Sequence, residues 1–205
     1  TGNSFNHDPS AGSFSASFND APALIAKLSS YRGPDPASLR TTEISTSGFK
    51  AFVAEEQSAD AELGHITESI NFLALDSSSG ALEGDEYSSQ SSSTSSTTSS
   101  TSTSSSSSSD SSSIGEYGTL SLDHNWQTVS FNNQYTNPVV IVSDPSFNGG
   151  DPGNIRIKNV GSSSFEARFQ EPNYKDGAHI TEQASYLVVE SGEWEMEGGT
   201  RFSAG

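Results

Sequence analysis

GHITESINFLALDSSSG, at residues 64–80, returns later in the chain as AHITEQASYLVVESG at residues 178–192. The likeness extends backwards from both copies, because a series of residues recurs in the same order and at the same spacing. In the first copy these residues are Pro22, Asp35, Pro36, Arg40, Phe49, Ala51 and Glu55, and in the second Pro138, Asp151, Pro152, Arg156, Phe165, Ala167 and Glu171. A solenoid unit has only about 20–50 residues, so we infer that a small domain occurs twice.

The alternation of apolar and polar residues predicts β-strands in both copies. Phe165, Ala167 and Phe169 alternate with polar residues along one segment, and the same pattern begins at Phe49 in the first copy. Gly, Pro, Asn and Asp separate these segments, as expected for turns between strands. The sequence therefore predicts an all-β protein of two small antiparallel β-sandwiches.

A helix is the competing interpretation for the two segments that follow the repeated histidines. Leu63, Ile66, Ile70 and Leu73 fit a helical stripe as well as a strand. We favour a strand because residues 186–189 of the second copy are rich in aromatic and β-branched side chains, which suit a pleated sheet.

Residues 88–113 between the copies are Ser and Thr apart from Gln90 and Asp110. Such a tract has no apolar side chains whose burial would offset the entropy of ordering it, so we expect a disordered linker. Its hydroxyl groups are candidates for O-linked sugars. The predicted organisation is a first repeat at 1–87, the linker at 88–113 and a second repeat at 114–205.

The formal net charge of −17 and the absence of cysteine exclude several classes of function. Nucleic-acid binding depends on Lys and Arg, so we expect no nucleic-acid partner. Disulfides and zinc–thiolate sites need cysteine. The acid excess indicates either solubility through self-repulsion or a saline setting. Because the two domains are small and have no disulfides, we expect a bound cation, salt or assembly into a homo-oligomer to add to their stability.

Two further features concern the cellular setting. No apolar run approaches the roughly 18 residues that span a bilayer, so we expect no membrane insertion. The first residues lack the basic and apolar regions of a signal peptide, so we expect a mature or excised piece of a longer protein.

A pattern of core aromatic residues and turns resembles the H-type lectin domain of snail agglutinins. The pattern consists of Phe131, Tyr135, the segment 138–140, the segment 165–167 and the segment 186–190. It covers about residues 117–192 and, more faintly, residues 5–76. The resemblance implies a six-stranded antiparallel β-sandwich that assembles as a trimer and binds N-acetylgalactosamine-type sugars without catalysis.

The sugar site that the resemblance implies lies in the loop after the Phe-x-Ala strand, here residues 171–177. Family members use an aromatic residue and a histidine there. The present loop offers Tyr174 for stacking and Asn173 and Asp176 for sugar hydroxyls, with Glu171 and His179 beside them. A Trp–His pair is missing, and the matching loop of the first copy has no aromatic residue.

Each copy also carries a His-x-x-Glu motif, and the two are His65–Glu68 and His179–Glu182. Such pairs serve as metal ligands or as acid–base pairs. On a strand, however, residues three apart point to opposite faces, which argues against joint chelation. The structural interpretation is that each histidine closes a loop by hydrogen bonding and each glutamate pairs with Arg40 or Arg156.

A calcium site is an alternative interpretation of the turn around Asp151. Asp144, Asn148 and Asp151 offer the hard oxygen ligands that calcium prefers, although the spacing of an EF-hand is absent. The simpler interpretation is a turn, since Asp followed by Pro favours one. We expect that no cofactor is required, with calcium as an optional ligand.

The sequence predicts no enzymatic activity. Acidic residues are too numerous to single out a catalytic pair, no nucleophile elbow is present, and the basic residues are too scattered for an anion site. We expect a non-catalytic adhesion or glycan-binding module of a larger extracellular or cell-surface protein. The alternative is a structural repeat that self-associates into a surface filament or extracellular matrix. The expected partners are therefore glycans or copies of itself.

Overall fold

The computed structural model of the protein describes residues 4–58, 60–87 and 112–205. These residues form antiparallel β-sheets and contain no helix, which confirms the all-β prediction. The strand interpretation of the repeated segments is also confirmed, because Glu68–Leu75 and Glu182–Glu190 are strands. The predicted disordered linker lies outside the described residues except for its last two positions.

Six strands of the first half form two three-stranded sheets. They are β1 (Ser4–Phe5), β2 (Ser10–Ser13), β3 (Ala23–Leu28), β4 (Ala37–Thr42), β5 (Gly48–Glu55) and β6 (Glu68–Leu75). The strand orders are β1-β6-β3 and β2-β5-β4. Alternation along β5 turns Phe49 and Val53 inward, where they share one core with Leu24 of β3 and Leu39 of β4.

The second half repeats this arrangement strand for strand. Its strands are β8 (Ser112–Leu122), β9 (Gln127–Ser130), β10 (Pro138–Val142), β11 (Asn154–Lys158), β12 (Ser164–Gln170) and β13 (Glu182–Glu190). The sheet orders β8-β13-β10 and β9-β12-β11 match those of the first half. Phe165 and Ala167 of β12 pack against Tyr186 and Val188 of β13. That each half is a separate β-sandwich stays a prediction.

Three further strands join the halves. They are β7 (Gly80–Glu86), β14 (Gly192–Glu195) and β15 (Arg201–Ala204). They extend one sheet to six strands in the order β10-β13-β8-β7-β14-β15. Gly84 of β7 is the register partner of Ser112 in β8. The Ser/Thr tract therefore connects two neighbouring antiparallel strands of the same sheet.

A third core lies between the halves. Ala23 and Ile25 of β3 are buried with Leu187 and Val189 of β13 and with Tyr117 of β8. These side chains lie on the faces of β3 and β13 that point away from the two other cores, so the halves are packed against each other by apolar surface.

Arg40 of the first half is fully buried against the second half. Its Nη1 donates to the carbonyl oxygen of Ser146 at 3.3 Å and its Nη2 to that of Gly153 at 3.2 Å. The guanidinium carbon lies 5.1 Å from the centre of the Phe169 ring. Burial lowers the pKa of Arg40, while the attraction of Glu182 opposes that effect. The residue therefore links the two halves by hydrogen bonds and by stacking.

The contrast between Arg40 and its repeat counterpart Arg156, which is exposed, gives a first prediction. Arg40→Ala should lower the free energy of unfolding by roughly 2–4 kcal/mol, because it leaves a cavity and two carbonyl groups without donors. Arg156→Ala should change it by less than about 0.5 kcal/mol. Chemical denaturation of both variants measures the difference, and equal losses would contradict the assignment.

Candidate functional site: two Glu–His–Glu clusters

His65 lies in the turn before β6, between the carboxylates of two glutamates. Its Nδ1 is 3.0 Å from Oε2 of Glu55, at the end of β5, and its Nε2 is 3.3 Å from Oε1 of Glu68, at the start of β6. All three residues are buried.

His179 repeats this arrangement in the second half. Its Nδ1 is 2.8 Å from Oε1 of Glu171 and its Nε2 is 3.0 Å from Oε1 of Glu182. These residues are buried as well. We call the two groups the first and second Glu–His–Glu clusters.

A loop from each half completes its cluster. Glu68 accepts backbone N–H groups of Arg32 at 2.6 Å and Gly33 at 3.0 Å, together with the hydroxyl of Ser30. The loop closes over the histidine so tightly that a Cβ atom on Gly33 would lie 2.5 Å from the His65 ring.

The second cluster uses the corresponding loop in the same way. Glu182 accepts the N–H groups of Asn148 at 2.9 Å and Gly149 at 2.8 Å, and the hydroxyl of Ser146. A Cβ atom on Gly149 would lie 2.6 Å from the His179 ring. A Ser-aromatic-x-Gly motif before each His-x-x-Glu motif is the sequence signal for this contact.

An outer histidine supports each inner one. Nδ1 of His7 lies 3.0 Å from the carbonyl oxygen of His65, and Nδ1 of His124 lies 3.1 Å from that of His179. In the second half, the Phe169 ring also stacks on His179 with 3.9 Å between ring centres. Each buried imidazole is therefore fixed by its ring atoms and by its own backbone.

Hydrogen bonds compensate the burial of these polar groups. Both ring nitrogens of each histidine face carboxylate oxygens. Burial by itself raises the pKa of Glu68, but hydrogen bonds from the Ser30 hydroxyl, two backbone amides and His65 outweigh it and hold that pKa at about 2. The same kinds of donor lower the pKa of Glu182.

Two sequence predictions about these residues are wrong. The turn before each strand brings histidine and glutamate together, although strand geometry alone would separate them. The predicted Glu–Arg pairs are absent from the residues that the structure describes. Arg40 binds backbone carbonyl groups, and Arg156 is exposed on β11.

Each of the three residues proposed for calcium has a partner of its own within the protein. Lysine ammonium groups neutralise both aspartates, because Asp144 pairs with Lys27 and Asp151 pairs with Lys175 at 2.7 Å. The side-chain amide of Asn148 donates to a backbone carbonyl group at 2.8 Å.

A different acidic group lies beside the first cluster. Carboxylate oxygens of Asp35, Glu55 and Glu62 lie within 4.8 Å of one another. In the second half, Lys175 supplies a cation to Asp151, the counterpart of Asp35. Calcium binding stays a prediction.

The loop that the lectin resemblance identifies as the sugar site meets the first half. The hydroxyl oxygen of Tyr174 accepts the backbone N–H of Gln57 at 3.0 Å, and Nζ of Lys175 lies 3.4 Å from Oε1 of Gln57. Tyr174 nevertheless remains 46% exposed.

The other predicted ligand residues are divided between two environments. Glu171 and His179 are buried in the second cluster. Asn173 and Asp176 line a polar cleft of about 270 Å³ beside it. The structure therefore leaves part of the predicted sugar site accessible and uses the rest to hold the fold.

Comparison with known proteins gives one partial similarity. No family model and no solved structure matches the chain. Halomucin from Haloquadratum walsbyi is 35% identical to it over 89 residues, which cover 40% of the chain and 1% of halomucin. The chain thus corresponds to a very small part of that relative. Among the described residues, no helix is long and apolar enough to cross a membrane.

Two adjacent glycines provide a matched test of the second cluster. Gly149→Ala should lower the free energy of unfolding by roughly 1–3 kcal/mol, because the added methyl group displaces the His179 ring. Gly150→Ala should be close to neutral, since nothing lies within 4 Å of a Cβ atom there. Thermal and denaturant unfolding measure both, and a harmless Gly149→Ala would contradict the packing.

The low pKa of Glu68 predicts an acid-sensitive contribution to stability. Because the pKa falls from the ordinary 4.5 to about 2 on folding, the ionised carboxylate stabilises the folded state. This contribution is complete above about pH 5 and is lost as the pH falls towards about 2. Glu68→Gln should therefore flatten the dependence of stability on pH in this window. Glu83→Gln, at an exposed position, should leave the dependence unchanged.

Proposed function

We propose that the chain is a non-catalytic structural pair of repeats within a larger extracellular or cell-surface protein. The observation that carries this proposal is the burial of both Glu–His–Glu clusters, in which each histidine is held through both ring nitrogens by glutamates of the chain itself. Each histidine is buried and bound through both ring nitrogens, which leaves no imidazole nitrogen open to a substrate. The clusters act by joining a turn, a loop and two strand ends.

The amino-acid composition supports an extracellular or cell-surface location in a saline setting. A net charge of −17 suits a surface kept hydrated in concentrated salt, and the Ser/Thr tract is typical of mucin-like O-glycosylated segments. The similarity to a protein named halomucin agrees with both features. The tract leaves and re-enters the fold on neighbouring strands, so sugars attached to it would project from one place on the protein.

Glycan binding is the second candidate. The resemblance to H-type lectins and the cleft beside Asn173 and Asp176 favour it. Tyr174 offers an aromatic face, with nearly half of its surface exposed. The loop lacks a free histidine, however, because His179 is held between two carboxylates. We therefore rank adhesion through this loop below the structural function.

Parallel measurements of stability and binding test this ranking. His65→Gln and His179→Gln should each lower the free energy of unfolding by roughly 1–3 kcal/mol, because each removes the buried ring that bridges two carboxylates. The parent chain should retain no glycan on an array of neutral and acidic sugars. Binding by the parent that is lost in Tyr174→Ala and Asp176→Ala, with stability unchanged, would overturn the structural function in favour of adhesion.

A further inference from the structure

A basic face stands out on this acidic protein. Arg156 and Lys158 of β11 and Arg168 of β12 are three of the nine Lys and Arg residues in the chain. Arg156 and Arg168 are direct register partners across the two strands. Like charges placed opposite each other destabilise a sheet, so this pair calls for a compensating contact. Lys158, by contrast, has Glu166 at 3.7 Å.

Trp126 forms the aromatic centre of the same face. Nζ of Lys158 lies 4.0 Å from its ring centre and the guanidinium carbon of Arg168 lies 4.8 Å from it. Within the described residues, the buried Nε of Arg168 has no hydrogen-bond partner. We call Trp126, Arg156, Lys158 and Arg168 the basic face.

The corresponding face of the first half is covered by the second half. Arg40 and Phe52 are the repeat counterparts of Arg156 and Arg168. A loop at residues 145–153 of the second half lies over them. Arg40 donates to two carbonyl oxygens of this loop, and the Phe52 ring meets the Phe147 ring edge-to-face at 4.9 Å.

The first half carries the counterpart of that loop, and nothing in the described chain covers it. It spans residues 29–37, with Tyr31 in the position of Phe147. Tyr31 is 78% exposed. The guanidinium of Arg32 turns back to the carbonyl oxygen of Thr67 and the hydroxyl of Ser69, both in its own half. Within residues 4–58, 60–87 and 112–205, the chain thus makes this face-to-loop contact once and leaves both surfaces of a second such contact uncovered.

We propose that the basic face of one copy binds the loop 29–37 of a second copy, which repeats the internal contact between molecules. Arg156 then donates to the carbonyl groups of Ser30 and Ala37, as Arg40 does to those of Ser146 and Gly153. The Tyr31 ring lies on the guanidinium of Arg168, a cation–π contact in place of the internal aromatic pair. This inference rests on the structural function proposed above and names the surface through which the repeats assemble.

The chemistry of the two surfaces favours a second copy as the partner. Peptide carbonyl groups and an aromatic ring satisfy an arginine pair without adding charge, and the internal contact shows the corresponding loop of the second half on the corresponding face of the first half. Because the two surfaces differ, the contact is heterologous. Each copy that joins the assembly therefore leaves one basic face and one loop 29–37 uncovered at its ends.

Sedimentation velocity of the full chain over a concentration series tests the proposal. At about 1 M salt the Debye length is only about 3 Å, so the mutual repulsion of acidic copies is screened. We expect concentration-dependent association of the parent chain under these conditions. Arg156→Ala, Arg168→Ala and Tyr31→Ala should each weaken it by roughly tenfold or more, as expected for central contacts of an interface. Lys50→Ala, which removes a basic residue paired with Glu43, should not.

Mixing two defective variants distinguishes this contact from nonspecific association. Arg156→Ala/Arg168→Ala retains a working loop, and Tyr31→Ala retains a working basic face. Each should remain monomeric alone, whereas an equimolar mixture should form dimers that grow no further. Growth of the mixture beyond dimers, or no dimer at all, would overturn the proposal. Circular dichroism and melting of each variant confirm that the fold is intact.

Two further outcomes also overturn it. A parent chain that stays monomeric at every concentration has no such interface, and a parent chain that binds polygalacturonate through Arg156 and Arg168 without self-association has an acidic polysaccharide as its partner. Either result leaves the structural function standing if the His65→Gln and His179→Gln variants are destabilised as expected. Retention of a neutral glycan through Tyr174 would instead overturn the structural function itself.

Discussion

A buried imidazole between two carboxylates is the interaction on which each repeat depends. In the second half, His179 binds Glu171, directly after β12, and Glu182 at the start of β13. Glu182 in turn binds the backbone of the 146–149 loop. Buried charges are costly unless they are paired and hydrogen-bonded. The hydrogen bonds from the histidine, the loop amides and the serine hydroxyl stabilise the buried Glu182 carboxylate and fix the loop around it.

The same interaction explains how the halves meet. The loop that Glu182 holds in place presents the carbonyl groups of Ser146 and Gly153 to Arg40. Arg40 also lies over Phe169, whose ring stacks on His179. The cluster of the second half therefore shapes the surface that receives the first half. Folding of the cluster and docking of the halves are linked through one chain of contacts.

Much of the fold was predictable from the sequence, because alternation along strands such as Phe165–Phe169 reports directly which side chains are buried. The Glu–His–Glu clusters were only partly predictable. The repeated His-x-x-Glu motifs identified the residues, but the turn before each strand brings the two side chains together, and periodicity does not describe a turn. The basic face was missed because Arg156 and Arg168 lie on different strands and meet only through the register of β11 with β12.

Hydrogen exchange of the Gly33 and Gly149 amides tests the central claim most directly. These amides donate to Glu68 and Glu182, and both lie in loops that would exchange rapidly without the clusters. If the clusters hold the repeats together, both amides exchange as slowly as those of the central strands and open only with global unfolding. Exchange as fast as that of Gly150 in the same loop would contradict the account.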